Sequence, residues 1–128
     1  MRVSNQVPGI SEAEWEVMNV LWEKEPLTAN EVIFSLQEKM DWKPKTIRTL
    51  LDRLVKKKVV GVNQNQKLYT FFPLYTQGEC QKAEAQTFLK RIYGGTMKSM
   101  LVQFIEEEEL TEEDMNELRS ILNENPKK

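Results

Sequence analysis

Basic side chains are concentrated in one short segment of this sequence. Residues 42–58 carry seven Lys or Arg side chains and a single acid, Asp52, whereas residues 106–117 carry eight acids and no base. The formal net charge of the 128 residues is only −2. A local cluster of cations is the usual footprint of phosphate binding, and global charge is a poor guide to it. The pattern predicts that residues 42–58 contact a nucleic acid.

Groups that would support catalysis are missing from the sequence. It contains no His, one cysteine (Cys80) and no glycine-rich phosphate loop. It therefore offers neither a Ser-His-Asp set nor a metal cluster. We expect no enzymatic activity, no cofactor, no metal and no small-molecule substrate. The acid run 106–109 is interpreted as a solvated helix face or loop.

Disulfide and membrane signals are also missing. One cysteine allows no intrachain disulfide. The N-terminal residues lack an apolar core of signal-peptide length, and no run approaches the roughly 20 apolar residues that span a bilayer. We expect a cytoplasmic protein.

Local signals place the basic segment on the third of three helices. Capping-box patterns begin at Ser11 and at Thr28, and Pro44 suits a first helical turn. With the apolar spacing that follows, they predict helices over about 11–24, 28–40 and 43–58.

Two β-type runs follow the third helix. They cover residues 59–62 and 68–72, on either side of the polar turn 63–66, and predict a β-hairpin. Three helices and a hairpin are the order of a winged helix-turn-helix, whose third helix enters the major groove and whose hairpin is the wing.

A helical wheel of the third helix separates its buried face from its outer face. Ile47, Leu50, Leu51 and Leu54 are predicted to point inward. Base-reading side chains come mostly from the N-terminal half of a recognition helix, which makes Lys45, Thr46 and Thr49 candidates. The candidates for phosphate contacts, which set affinity but not sequence preference, are Lys43, Arg48, Arg53, Lys56 and the wing residue Lys67.

A lysine-rich outer face is also typical of an ordinary solvated helix. The two preceding helices and the hairpin favour the interpretation as a DNA-binding surface. Asp52 lies on the same face and would repel phosphate unless it pairs with Arg48 or Lys56, each four residues away.

The remainder of the sequence predicts three amphipathic helices, over about 76–93, 96–105 and from 111 onward. A segment this short rarely builds an adequate core alone. Its apolar faces either pack on the DNA-binding domain or meet the same faces of a second chain. We expect the second arrangement, because a dimer reads two half-sites. Phe104 has the spacing of a buried residue. The predicted domains are a winged-helix domain, 1–74, and a helical dimerisation domain, 75–128. The predicted dimerisation residues are Phe88, Ile92, Tyr93, Met97, Met100, Leu101, Phe104, Ile105, Leu118 and Ile121.

Three segments of the sequence resemble the BlaI/MecI family of penicillinase repressors. They are SEAEWEVMNVLWEKEPLTANEV, DWKPKTIRTLLDRLVKKKVV and FLKRIYGGTMKSMLVQFIEEEELTEEDMNELRSIL. The block KTIRTL followed by RL-x-KK is specific, as is GG-x-x-x-S-x-x-x-x-F. The resemblance extends from about Ile10 to Leu122.

The resemblance implies a homodimer with an N-terminal winged helix and a C-terminal helical dimerisation domain. Members of the family bind palindromic operators upstream of β-lactam-resistance genes and of their own regulatory genes. A membrane receptor with a cytoplasmic zinc-protease domain senses β-lactam, and the repressor is then cleaved between an Asn and a Phe. The corresponding bond here is Gln103–Phe104, with Gln103 where Asn is usual. A cut through a dimer core would explain loss of DNA binding.

A copper-responsive branch of the family carries paired Cys-x-Cys motifs, whereas this sequence has Cys80 alone, so we expect no such metal site. Two alternatives stay open. One is a repressor of the same family that serves another regulon, such as cell-wall stress or metal efflux. The other is a winged-helix protein-interaction module, which predicts no salt-sensitive binding to duplex DNA.

Overall fold

The computed structural model describes residues 7–65, 67–107 and 110–124, which form a mainly helical fold with a small antiparallel sheet. The prediction of a mainly α fold with a β-hairpin is confirmed. The elements of the described residues are α1 (Glu12–Glu23), β1 (Leu27–Thr28), α2 (Ala29–Gln37), α3 (Pro44–Lys56), β2 (Val60–Asn63), β3 (Thr70–Pro73), α4 (Gln77–Tyr93), α5 (Met97–Glu106) and α6 (Glu112–Glu124).

The predicted capping boxes start the first two helices. The Ser11 hydroxyl accepts from the backbone N–H of Glu14 at 3.1 Å, and the Glu14 carboxylate accepts from the N–H of Ser11 at 2.9 Å. Thr28 and Glu31 make the same reciprocal pair at the start of α2. These bonds satisfy N–H groups that a helix leaves without intrahelical partners. Pro44 opens α3, where its missing N–H has no cost.

The sheet contains a strand that was not predicted. Its order is β1-β3-β2, and β1 pairs with β3 through Leu27 opposite Phe71. Two residues show no periodicity, and their partner strand lies more than forty residues away, so no local signal could reveal the pairing. The second hairpin strand also begins later than predicted, which leaves Leu68 and Tyr69 in the loop between β2 and β3.

One apolar core joins α1, α2, α3 and the sheet. The buried side chains come from one face of each helix and from the inner side of the strands, so the amphipathic spacing is satisfied within the chain. The fully buried apolar members are Val17, Met18, Leu21, Val32, Leu36, Ile47, Leu51, Leu54 and Val59. Cys80 at the beginning of α4 is buried in the same core.

Two sets of polar contacts link α1 and its approach to distant parts of the chain. The ammonium group of Lys57, just after α3, lies 2.5 Å from a carboxylate oxygen of Glu14 and donates to the carbonyl of Gly9 at 2.9 Å. The indole N–H of Trp22 donates to the carbonyl of Tyr75 at 3.0 Å, which joins α1 to the segment before α4. Both sets of contacts link residues that are distant in sequence.

The chain divides into two compact units, Met1–Ala85 and Gln86–Lys128. The division falls inside α4, whereas the predicted division into functional domains lies between residues 74 and 75. The first two turns of α4 therefore belong with the first unit, to whose core Cys80 contributes. The 74/75 boundary of the functional domains stays a prediction.

The second unit contains the end of α4, α5 and α6. Gly94 and Gly95 follow α4 with φ angles of 74° and 107°, a left-handed conformation that glycine adopts without strain. Thr96 and Thr111 cap the next two helices through their hydroxyl groups. Over the described ranges, no helix has the length and apolar character needed to cross a membrane.

Candidate nucleic-acid interface

The face of α3 that points away from the core carries the candidate DNA contacts. Ile47, Leu50, Leu51 and Leu54 are buried, as the helical wheel predicted. Since these four side chains fix the rotation of the helix about its axis, the opposite face is presented to solvent. Every candidate on α3 and at its N-cap is exposed: Lys43 at the N-cap, then Lys45, Thr46, Arg48, Thr49, Arg53 and Lys56.

The three candidate base readers lie in the first half of α3. Lys45 and Thr46 are in its first turn, and their side chains are exposed. The hydroxyl of Thr49 donates to the carbonyl of Lys45 at 2.9 Å. Its hydrogen is therefore engaged within the helix. Thr49 can still offer a base edge its methyl group or an oxygen lone pair.

The acid on this face, Asp52, is paired. One of its carboxylate oxygens lies 3.2 Å from Nε of Arg48, one helical turn earlier. The Arg48 guanidinium carbon also lies 5.6 Å from the ring centroid of Phe71, a buried residue of β3. Of the two pairings considered for Asp52 from the sequence, the structure has the one with Arg48.

The lysines that end α3 differ in their surroundings. Lys56 is exposed and lies on the outer face, whereas Lys57 is bound to Glu14 and Gly9. Glu14 is buried, which raises its pKa, but the hydrogen bond and charge of Lys57 and the hydrogen bonds with Ser11 outweigh this effect. The net result is a pKa of Glu14 below its ordinary value. Lys57 thus anchors α3 to α1 within the chain.

The hairpin loop places another cation beside α3. Lys67 is exposed in the loop, and it lines a cleft together with Arg48, Thr28, Asn30 and Tyr69. Asn30 and Tyr69 were not among the sequence candidates. No spacing rule could have found them, because the first turn of α2 and the hairpin loop meet only through the pairing of β1 with β3.

The candidate dimerisation residues are in the second unit, apart from these groups in sequence. Seven of them are exposed in the single chain: Phe88, Ile92, Met97, Phe104, Ile105, Leu118 and Ile121. Tyr93, Met100 and Leu101 are half-buried.

Burial of Phe104 was expected from its helical spacing, and this is wrong for the single chain, where 39% of its surface is exposed. The spacing identifies an apolar face, but the chain itself supplies too little surface to cover that face. Gln103, the other residue of the candidate cleavage bond, is also exposed and lies within α5.

Metal-binding side chains are not assembled in the part of the chain that the structure describes. There, no group of three or more His, Cys, Asp or Glu side chains could hold a metal ion. Cys80 is buried in the apolar core of the first unit.

The sequence is similar to known repressors over nearly its whole length. A family model described as penicillinase repressor matches residues 10–124. The methicillin resistance regulatory protein MecI of Staphylococcus aureus (strain N315) is 37% identical over 121 residues, which are 94% of this chain and 98% of MecI. The penicillinase repressor of Bacillus licheniformis is 38% identical over 119 residues, 93% of each protein.

Solved structures of a related protein match more than half of the chain. The solution structure of the Bacillus licheniformis BlaI monomeric form, in complex with the blaP half-operator, is 36% identical with a TM-score of 0.52. The match covers 58% of this chain and 90% of that one. The solution structure of the DNA-binding domain of the repressor BlaI gives the same values.

Proposed function

The chain belongs to the penicillinase repressor family, and from this premise we propose that it represses transcription as a homodimer bound to a palindromic operator. The observation that carries the proposal is the exposed face of α3. The apolar stripe of the helix orients that face outward, and Lys67 of the hairpin loop lies beside it at Arg48. A related chain of 36% identity is described in complex with a half-operator.

The contacts with DNA divide into two classes. Lys45, Thr46 and Thr49 read base edges, because they occupy the N-terminal half of the recognition helix. The remaining candidates bind phosphates and set affinity and register without reading sequence. The phosphate class contains Lys43, Arg48, Arg53, Lys56 and Lys67.

A second copy of the chain covers the apolar face of the second unit. The helices α4, α5 and α6 each carry large apolar side chains that are exposed in one chain, among them Phe88, Met97, Phe104 and Ile121. Several large apolar side chains exposed on amphipathic helices are typical of an interface. In the functional division proposed here, residues 1–74 bind DNA and 75–128 form the dimer.

The repressed genes are those of β-lactam resistance, and the protein acts in the cytoplasm. Two relatives that cover almost the whole chain are described as a methicillin resistance regulator and a penicillinase repressor, which supports this regulon. In this proposal, a membrane receptor-protease inactivates the repressor by cleaving Gln103–Phe104. The position of this bond in the apolar face of α5 supports that step, because a cut there would divide the dimer surface.

A gel-shift titration tests the DNA-binding proposal. The purified chain is titrated onto the fragment upstream of its own gene and onto random duplex, at about 50 and 200 mM salt. We expect tight, dimer-sized shifts on the upstream fragment and weak, strongly salt-dependent binding to random duplex. Equal weak binding to both duplexes would contradict operator recognition.

Two lysine variants provide the matched control. Lys45→Ala removes an exposed lysine from α3, and Lys82→Ala removes an exposed lysine from α4 in the same unit. Only Lys45→Ala is expected to weaken the shift. An equal loss in both variants would mean that α3 is not the contact surface.

The cleavage step is tested by mass spectrometry of the chain from its own cells, before and after exposure to β-lactam. We expect a fragment ending at Gln103 after exposure and the intact chain before it. An intact chain under both conditions, with induction of the resistance genes, would contradict inactivation by cleavage at this bond.

A further inference from the structure

The cleft beside α3 has the composition of an anion site. It lies between the first turn of α2, the middle of α3 and the hairpin loop, all within the first compact unit. Its lining includes two cations, Arg48 and Lys67, and the neutral donors Asn30 and Tyr69, but no carboxylate among its described residues. In a protein–DNA complex, the anions next to a recognition helix are the backbone phosphates of the duplex.

Arg48 is held in this cleft from two sides. Its Nε is 3.2 Å from Asp52 on α3, and its guanidinium lies over the ring of Phe71 on β3. Only 3% of Phe71 is exposed, so the ring is a fixed platform. The bond to Asp52 uses one of the five guanidinium N–H groups, and the two terminal NH₂ groups keep four donors. A planar donor set fixed in this way matches the geometry of a phosphate.

We propose that this cleft binds one backbone phosphate of the duplex, that Arg48 is its central donor, and that Asp52 is a positioning residue acting through Arg48. The inference rests on the proposed binding of operator DNA and adds a site and a role to it. Lys67 contributes a second charge from the loop.

If Asp52 positions Arg48, removal of its carboxylate changes DNA affinity in the direction opposite to that expected from charge alone. A carboxylate beside a phosphate is repulsive, so its removal should tighten DNA binding. If Asp52 orients Arg48, its removal frees the guanidinium to sample other rotamers, and ordering it again on binding has an entropic cost. The two effects have opposite signs, so one measurement of affinity separates them.

The test compares two acids near α3. Asp52→Asn and Asp41→Asn each remove one exposed carboxylate, and Asp41 precedes the helix without contributing to the cleft. Affinity is measured by fluorescence anisotropy with the full chain, on random duplex and on the fragment upstream of its own gene. We expect Asp52→Asn to weaken binding by about two- to fivefold, the size of an exposed ion pair's contribution.

The same factor is expected on both duplexes, because a phosphate contact carries no sequence information. Asp41→Asn is expected to bind equally well or slightly more tightly. If Asp52→Asn binds as tightly as the unsubstituted chain, or more tightly, the positioning role is overturned.

A double-mutant cycle separates positioning from a general structural effect. In the Arg48→Ala background, Asp52→Asn should cause no further loss of affinity, because the residue it positions is gone. An equal loss in both backgrounds would overturn the proposal. Thermal unfolding of each variant provides the structural readout, and equal midpoints are expected for these exposed side chains.

Arg48→Lys is the second, independent variant. It keeps the positive charge but loses the planar donor set, and we expect it to weaken binding as Asp52→Asn does. Full affinity in Arg48→Lys would overturn the role of the fixed guanidinium. The two proposals can fail separately: an unsubstituted chain that binds no duplex contradicts operator binding itself, whereas a chain that binds DNA with unaffected variants contradicts only this inference.

Discussion

The two compact units of this chain differ in how far they bury their apolar side chains. Within Met1–Ala85, α1, α2, α3 and the sheet bury a continuous apolar core. Among the described residues of Gln86–Lys128, Leu89 is the one apolar side chain that is buried, while large side chains such as Phe104 and Ile121 are exposed. Both units have amphipathic helices, so the difference lies in how many surfaces the chain supplies to cover them.

The physical reason is the surface that a small segment can bury. Three helices and a sheet surround a core on several sides, whereas α5, α6 and the end of α4 leave their apolar faces in contact with water. Segments of this size rarely reach adequate burial alone. The first unit should therefore fold within one chain, and the second should gain stability from association, which depends on protein concentration.

The largest expected effect is in the second unit. Phe104→Asp places a charge on its apolar face, and we expect self-association and operator binding to weaken together. Joining two half-site contacts in one dimer raises affinity by roughly 10²- to 10⁴-fold, and this gain should be lost. Sedimentation velocity and gel shifts measure the two properties. Glu106→Lys, an exposed position about 200° round α5 from Phe104, is the control. A dimeric variant with unchanged operator affinity would refute the prediction.

A core substitution tests whether the first unit is stable within a single chain. Leu51→Ala should lower the free energy of unfolding of the first unit by about 2–5 kcal/mol, because it leaves a cavity in a closed core. Urea unfolding followed by circular dichroism measures this loss, which should be the same at every protein concentration. Leu68→Ala, where 69% of the side chain is exposed, should change stability by under about 0.5 kcal/mol. A concentration-dependent loss for Leu51→Ala would mean that the first unit also depends on association.

DNA sequence preference should belong to the first unit alone. Thr46→Ala is expected to reduce discrimination between operator and random duplex by about 1–3 kcal/mol without changing self-association. Lys56→Ala should weaken binding to all sequences alike and reduce the salt slope by about one. Equal losses on both duplexes for Thr46→Ala would place Thr46 in the phosphate-binding class.

The smallest expected effect is on the stability of the first unit at low pH. The pKa of Glu14 is lower in the folded chain than its ordinary value of 4.5. Its contribution to stability is therefore present above pH 4.5 and lost as the pH falls through the lower folded value. Glu14→Gln should reduce the stability of the first unit at pH 7 and flatten the decline of that stability in acid. Urea unfolding at pH 7 and at a pH below 4.5 measures both effects. Glu12→Gln, an exposed neighbour, should keep the decline; equal behaviour of the two variants would contradict the role of Glu14.

Much of the fold could be predicted because its signals are local. A capping box is complete within four residues, so Ser11 and Thr28 mark helix starts without any knowledge of the tertiary structure. The inward face of α3 follows from spacing alone. The strand β1 could not be predicted, since Leu27 becomes part of a strand only by pairing with Phe71. For a related reason, the spacing of Phe104 identifies an apolar face but not what covers it, and in the single chain this side chain is exposed.

The sequence by itself determined the helices, the basic outer face of α3 and the family of the chain, because periodicity, capping and motif spacing act over a few neighbouring residues. Only the tertiary structure decided which charges are committed within the chain and which are available to a ligand. Lys57 is held by Glu14, and Arg48 is oriented by Asp52 on its own helix and by Phe71 on a strand. Two of these three contacts join residues distant in sequence, and only packing of the helices against the sheet brings such residues together.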